Sequence, residues 1–143
     1  MRNPEITALV LAGLLAVAGT LAFAHGNVTP QPVDTTGLKV LGDAWLTENP
    51  YRADKALQDK AMEIGEKGYE SNCAACHGLH AVSGGIAPDL RELDAGKAGD
   101  DWYIGLTRRG VVRNGERKMP AYEGTVSQEA MWAIRSYIET RQH

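Results

Sequence analysis

The sequence predicts a small, mostly α-helical domain that follows an export signal and an extended arm. Apolar residues recur near the 3.6-residue period of a helix from Ala53 to about Ser71, and again on one side of the segment after Ser127. Residues 78–99, which lie between these segments, are rich in glycine and contain Pro88, as is typical of a loop. No segment alternates clearly between apolar and polar residues, so we expect no β-strand.

The N-terminus has the pattern of a secretory signal peptide over residues 1–24. Arg2 precedes an apolar run from Ile6 to Ala22, and Ala22-Phe23-Ala24 matches the A-x-A cleavage signature. The alternative is a transmembrane anchor, but a run of about 17 residues is at the short limit for spanning a bilayer. We therefore expect cleavage after Ala24, export to the periplasm and no stable membrane span in the mature protein.

Residues 25–54 are predicted to form an extended arm, and residues 55–143 the folded domain. The arm is rich in proline, threonine, glycine and asparagine, and Trp45 and Tyr51 are its candidate apolar anchors. A flexible linker is the alternative. Two aromatic residues within seven positions favour an arm that packs on the domain.

Capping residues and turn residues divide the domain into elements. The first helix, from Ala53 to about Ser71, leads directly into Cys73. Asp100-Asp101 are expected to cap a second helix that runs from Trp102 to about Arg109 and ends at Gly110. Asn114-Gly115 predicts a turn, and Ser127 is the expected N-cap of the last helix.

Cys73-Ala74-Ala75-Cys76-His77 is the segment that predicts the chemistry. C-x-x-C-H is the attachment signature of c-type haem, in which two thiols add to the vinyl groups and the histidine is the proximal iron ligand. A thioredoxin-like pair needs a βαβ pattern that we do not find, and zinc needs about four ligands where only His80 lies nearby. A structural disulfide leaves the histidine unexplained. We expect one haem c, bound covalently through Cys73 and Cys76.

Met119 is the expected second axial ligand of the iron. It lies in a segment predicted to be irregular and is followed by Pro120, so a loop could place it over the opposite haem face. His25 and His143 remain alternatives, whereas His80 lies too close to His77 to reach that face. Met62 and Met131 occupy apolar helix positions typical of core residues. Histidine and methionine together raise the potential relative to two histidines and leave no open coordination position, which favours electron transfer over a haem enzyme such as a peroxidase.

These motifs resemble those of the class I c-type cytochromes. In that family a glycine and an aromatic residue stand eight and four residues before the first haem cysteine, as Gly65 and Tyr69 do here. In the same family the last helix crosses the first and contacts it through an apolar residue and an aromatic residue. Ile134 and Tyr137 stand at those positions here. The resemblance implies the small class I cytochrome c fold, in which the N- and C-terminal helices cross around one covalent haem.

The same resemblance implies roles for two further residues. The carbonyl of Pro88 would accept a hydrogen bond from the proximal histidine, and the alternative is an ordinary loop proline. The indole of Trp102 would donate to a haem propionate, and the alternative is a core residue.

A narrower resemblance covers nearly the whole mature chain. It is to the periplasmic cytochromes that accept electrons from quinoprotein alcohol dehydrogenases, and it lies in residues 25–31, 41–45, 49–52, 83–90 and 128–137. It implies a monomeric electron carrier, not an enzyme. The electrons would come from a PQQ-dependent alcohol (ethanol) dehydrogenase and pass to a terminal oxidase or another cytochrome. The alternative is a permanent cytochrome subunit of a larger dehydrogenase or oxidase complex, docked through the arm.

Charge gives a weaker indication of partners. The formal net charge of −3 is not that of a nucleic-acid-binding protein. Five cations lie between Arg108 and Lys118, with Glu116 as the one anion among them. This cluster either borders the exposed haem edge and steers an acidic partner, or forms a solvated basic turn.

Overall fold

The computed structural model describes residues 28–143, and four α-helices form most of the regular structure there. The predicted signal peptide, its cleavage after Ala24 and His25 lie outside these residues. The helices are α1 (Lys55–Asn72), α2 (Ala74–His77), α3 (Gly96–Arg109) and α4 (Gln128–Glu139). Short 3₁₀ turns lie at Leu79–Ala81 and Leu90–Glu92. The mostly α fold class is therefore confirmed. None of the helices in residues 28–143 is both long and apolar enough to span a bilayer.

The crossing of α1 and α4 is the main packing contact of the domain. Gly65 permits it, because a Cβ atom at this position would lie 1.9 Å from the carbonyl oxygen of Ala133. One turn further along α1, the rings of Tyr69 and Tyr137 pack with their centroids 5.3 Å apart. A glycine and a pair of aromatic residues thus set how closely the two backbones approach.

The helix starts are partly those predicted from the sequence. Ser127 caps α4, since its hydroxyl accepts from the backbone N–H of Ala130. The predicted end of α3 at Gly110 is confirmed, but its predicted start was wrong: the helix begins at Gly96, so Asp100 lies inside it rather than at its cap. The Asp100 side chain is fully buried and bonds to Arg135 of α4, a long-range interaction that the local pattern could not indicate.

The prediction of no β-strand was also wrong. Strands β1 (Val111–Arg113) and β2 (Glu116–Met119) pair as an antiparallel hairpin. The predicted Asn114-Gly115 turn joins them, and both residues have the positive φ that a tight two-residue hairpin requires. The strands are short and largely exposed, so the alternating pattern is too weak to detect. Met119 therefore lies at the end of a strand rather than in an irregular segment.

Residues 28–54 lie against the helices. Tyr51 is 1% exposed and Trp45 packs partly buried on the core. Backbone N–H groups of Leu41 and Leu46 donate to the side chains of Glu129 and Gln128, which lie in the first turn of α4. Polar side chains of α4 thus bind the backbone of this segment.

Candidate functional site

All six site residues predicted from the sequence border one cavity of about 300 Å³. Its wall is mostly apolar. The six are Cys73, Cys76, His77, Pro88, Trp102 and Met119.

The C-x-x-C-H segment forms a single helical turn at the end of α1. The backbone N–H of Cys73 donates to the carbonyl of Tyr69, and that of His77 donates to the carbonyl of Cys73. Residues three apart on a helix share a face, so both thiols lie on the cavity side of this turn. Burial raises the pKa of the Cys73 thiol to about 12, and the neighbouring Cys76 adds to this. The Cys73 thiol is therefore neutral within an apolar wall.

The imidazole of His77 is held by Pro88. Its Nδ1 lies 2.9 Å from the Pro88 carbonyl oxygen, which can only accept, so Nδ1 carries the proton. Nε2 is then the nitrogen that is free to bind a metal. Burial lowers the pKa of His77, against the opposing effect of the Pro88 hydrogen bond. His77 is consequently neutral at pH 7, as a metal ligand must be.

Met119 is fixed from both sides along the chain. On one side β2 pairs it with Val111, and on the other Pro120 follows. The backbone of Gly110, which has φ near +70°, packs closely against this segment. A Cβ atom at Gly110 would lie 2.5 Å from the carbonyl oxygen of Met119. The thioether is half-buried and faces the same cavity as the thiols.

The other donors considered from the sequence that fall within residues 28–143 do not border the cavity. His80 and His143 are exposed, Met131 is fully buried among the core residues of α4, and Met62 lies half-buried on α1. Within residues 28–143, Met119 is thus the one methionine that borders the cavity together with His77.

Trp102 and the basic cluster lie nearer to solvent. Half of the Trp102 side chain is exposed, which argues against a core position, and its role toward a propionate stays a prediction. Arg113 and Lys118 are exposed on the cavity wall. Arg108, by contrast, pairs with Glu123 and lies over the ring of Trp45. Of the basic cluster, Arg113 and Lys118 thus lie at the cavity wall, and Arg108 lies against Trp45 of the arm.

Sequence reasoning missed two polar residues of the wall, Asn72 and Tyr122. The hydroxyl of Tyr122 donates to the backbone carbonyl of Asn72 at 2.6 Å, across 50 residues of sequence. No local pattern distinguishes either residue, because the partner is known only from the fold.

The donor set of the cavity fits a covalent haem. Two thiols, a neutral imidazole and a thioether border one apolar space, which is the combination that attaches and ligates haem c. No group of three or more His, Cys, Asp or Glu side chains within residues 28–143 is placed to hold a bare metal ion.

Comparisons with known proteins agree with this site. Residues 60–138 match the family described as cytochrome C oxidase, cbb3-type, subunit III. Cytochrome c550 of Pseudomonas aeruginosa is 54% identical over 92% of this chain and 93% of its own length. The quinohemoprotein alcohol dehydrogenase ADH-IIG of Pseudomonas putida is 37% identical over 88% of this chain but only 17% of its own length. Cytochrome c6 of Tetradesmus obliquus is 28% identical over 54% of this chain and 86% of its own.

No solved structure matches the chain significantly. The family match covers more than half of the chain, and the similarity to cytochrome c550 covers nearly all of it. The chain therefore belongs to the class I c-type cytochromes, as an electron-transfer protein that carries one haem c attached through Cys73 and Cys76.

Proposed function

We propose that this cytochrome is a diffusible periplasmic carrier, which accepts single electrons from a PQQ-dependent alcohol dehydrogenase and passes them toward a terminal oxidase. The observation that carries the proposal is that the C-x-x-C-H segment and Met119 border the same apolar cavity. Haem c supplies a one-electron ferric/ferrous couple there. His77 and Met119 are its proposed axial ligands.

The residues around the proposed ligands hold them rigidly. The Pro88 carbonyl fixes the tautomer and orientation of His77, and the β1–β2 hairpin holds Met119 from the other side. With His77 and Met119 both binding the iron, no coordination position would remain for a substrate. The proposed function is therefore transfer of electrons rather than catalysis.

Similarity supports the proposed donor. The Pseudomonas putida relative is named a quinohemoprotein alcohol dehydrogenase, and this chain corresponds to 17% of its length. A dehydrogenase that contains a segment like this chain indicates that such a cytochrome can accept electrons beside a quinone cofactor. We infer that the present chain performs this step as a separate protein, with an alcohol such as ethanol as the donor's substrate.

The rim of the cavity supplies a surface for brief contacts. Ile86 and Trp102 are exposed apolar residues on the cavity wall. Arg113 adds positive charge, and Lys118 forms an ion pair with Glu116. A small apolar area with charges around it suits a transient complex, in which charge raises the association rate more than the affinity. The proposed partner therefore presents acidic groups.

A permanent subunit of a larger dehydrogenase or oxidase complex is the second candidate function. The family that matches residues 60–138 is described as an oxidase subunit, which is the observation in its favour. Gel filtration of the protein at physiological salt, once with its dehydrogenase and once with a terminal oxidase, separates the two functions. Co-elution as a stable complex would indicate a subunit, and separate elution with rapid electron transfer would indicate a carrier.

The ligand assignment is tested with Met119→His in the purified holoprotein. We expect loss of the weak far-red absorption band that a thioether gives ferric haem c, and a lower reduction potential, within the range of about 0.8 V that axial ligands span. Met131→Leu, at a buried position away from the cavity, is the matched control and should keep both properties. An unchanged band in Met119→His would refute the assignment.

The donor is tested by stopped-flow reduction of the ferric protein by a quinoprotein ethanol dehydrogenase. We expect fast reduction that slows with added salt, and a several-fold slower rate at low salt for each of the single variants Arg113→Gln and Lys118→Gln. Lys55→Gln removes the same single charge at an exposed site off the cavity wall, and it is the matched control for both variants. No reduction of a protein that ascorbate reduces readily would remove the alcohol dehydrogenase as donor.

A further inference from the structure

The segment that follows Met119 caps the ends of two helices. The backbone N–H groups of Tyr122 and Glu123 donate to the carbonyls of Thr107 and Arg108, in the last turn of α3. The hydroxyl of Tyr122 donates to the carbonyl of Asn72, the last residue of α1. Carbonyls at helix ends lack partners within their own helix, so this segment satisfies groups that would otherwise be buried without a donor.

Asn72 extends this connection to the arm. Its side chain accepts from the backbone N–H of Gln31 at 2.7 Å and donates to the carbonyl of the same residue at 3.1 Å. Asn72 is 2% exposed and immediately precedes Cys73. One residue beside the haem attachment site thus binds the arm with its side chain and Tyr122 with its main chain.

We propose that Tyr122 is a positioning residue for Met119. The inference rests on the proposed His77/Met119 ligation and adds a device that holds it. Tyr122 is three residues beyond Met119, and both border the cavity. Three residues span at most about 11 Å of chain, so Met119 cannot move far from the cavity while the phenol stays bound to Asn72. The Tyr122 hydroxyl therefore ties the segment that carries Met119 to the end of α1, at the residue before Cys73.

We therefore expect the Met119 thioether to resist displacement from the haem iron. An external ligand such as imidazole can take the sixth position of ferric iron only if Met119 leaves. If Met119 leaves together with its segment, the Tyr122–Asn72 bond breaks as well and opposes the exchange. Loss of one buried hydrogen bond of this kind changes an equilibrium constant by about tenfold.

The test measures the dissociation constant of imidazole for the ferric holoprotein of Tyr122→Phe, by loss of the thioether band, alongside its unfolding free energy. Tyr103→Phe is the matched control. Its buried hydroxyl donates to the carbonyl of Met131 at 2.8 Å, and its side chain does not border the cavity. We expect about tenfold tighter imidazole binding in Tyr122→Phe and wild-type affinity in Tyr103→Phe. Equal affinities in the three proteins would overturn the proposal.

A second measurement uses only the wild-type protein, so it does not depend on the folding of a variant. Amide hydrogen exchange is compared with and without bound imidazole. We expect the Tyr122 and Glu123 amides to lose protection when imidazole binds, because the segment moves as one unit. Retained protection of both amides would show that Met119 leaves without this segment, and would overturn the proposal.

These outcomes distinguish the inference from the ligand assignment beneath it. If the wild-type ferric protein shows no thioether band and Met119→His leaves its absorption spectrum unchanged, both the ligand assignment and the role of Tyr122 are wrong. A wild-type protein with the band but with imidazole affinity unaffected by Tyr122→Phe would overturn the role of Tyr122 alone.

Discussion

Replacing Asp100 by asparagine should destabilise the fold severely. The Asp100 side chain is fully buried on α3 and accepts from Arg135 Nε and Arg52 Nη2, both at 2.8 Å, and from the backbone N–H of Asn49 at 2.9 Å. Asparagine removes the negative charge while Arg135 stays 0% exposed, and Arg135 Nη2 keeps its longer contact to the Glu139 carboxylate at 3.5 Å. Breaking a buried ion pair costs about 3–5 kcal/mol, and because Glu139 compensates part of the charge we expect a loss of about 3 kcal/mol, a large part of the roughly 5–15 kcal/mol that holds a domain folded.

The matched control is the same substitution in an exposed pair. Asp59 accepts from Lys55 one turn away on α1, where the side chains are 52% and 81% exposed, so Asp59→Asn should cost no more than about 0.5 kcal/mol. Both free energies come from denaturant unfolding followed by far-ultraviolet circular dichroism. A loss in Asp100→Asn within about 1 kcal/mol of that in Asp59→Asn would refute the reasoning, since burial would then not set the cost.

The same carboxylate predicts how stability depends on pH. Burial alone would raise the pKa of Asp100, but the hydrogen bonds from Arg135, Arg52 and Asn49 outweigh it and hold the pKa below 3.8. A lowered folded-state pKa means that the unfolded state binds the proton first as pH falls. The stabilisation is therefore complete well above pH 3.8 and is lost as pH falls below that value toward the folded-state pKa. The difference in stability between wild type and Asp100→Asn should shrink between about pH 6 and pH 3.

Two further predictions concern α1 and α4. Gly65→Ala should destabilise the fold by about 3 kcal/mol or more, because its Cβ would lie 1.9 Å from the Ala133 carbonyl oxygen. Gly84→Ala is the control. Its Cβ would have no atom within 4 Å, so it should be nearly neutral in the same unfolding assay. Ser127→Ala should lower the free energy of unfolding by about 1 kcal/mol, because it removes the acceptor for the Ala130 N–H. Ser127→Asp keeps an acceptor at this position and should therefore retain most of the stabilisation by the cap. Equal stability of the two glycine variants, or no loss in Ser127→Ala, would contradict these contacts.

Local patterns in the sequence were sufficient for α1, α4 and the C-x-x-C-H segment of the cavity wall. Period, caps and turn residues predicted α1, α4 and the Asn114-Gly115 turn, because each depends on neighbours within a few positions. The start of α3 was not predictable from local patterns. Aspartate is a common N-cap residue, but the Asp100 side chain binds Arg135, 35 positions away. The Tyr122–Asn72 bond was hidden for the same reason. Polar partners that meet only in the folded chain leave no periodic signal.

The contacts of the arm bear on whether the protein is a carrier or a subunit. An arm that docks the cytochrome onto a larger complex needs backbone and side chains free to bind that partner. Here Gln31 is bound to Asn72, Leu41 and Leu46 to the first turn of α4, and Asn49 and Arg52 to Asp100. Detaching the arm would leave Asp100, fully buried, with one of its three donors. Because the domain itself uses these groups, the contacts favour an arm that completes the fold, which supports the proposed carrier over a subunit docked through the arm.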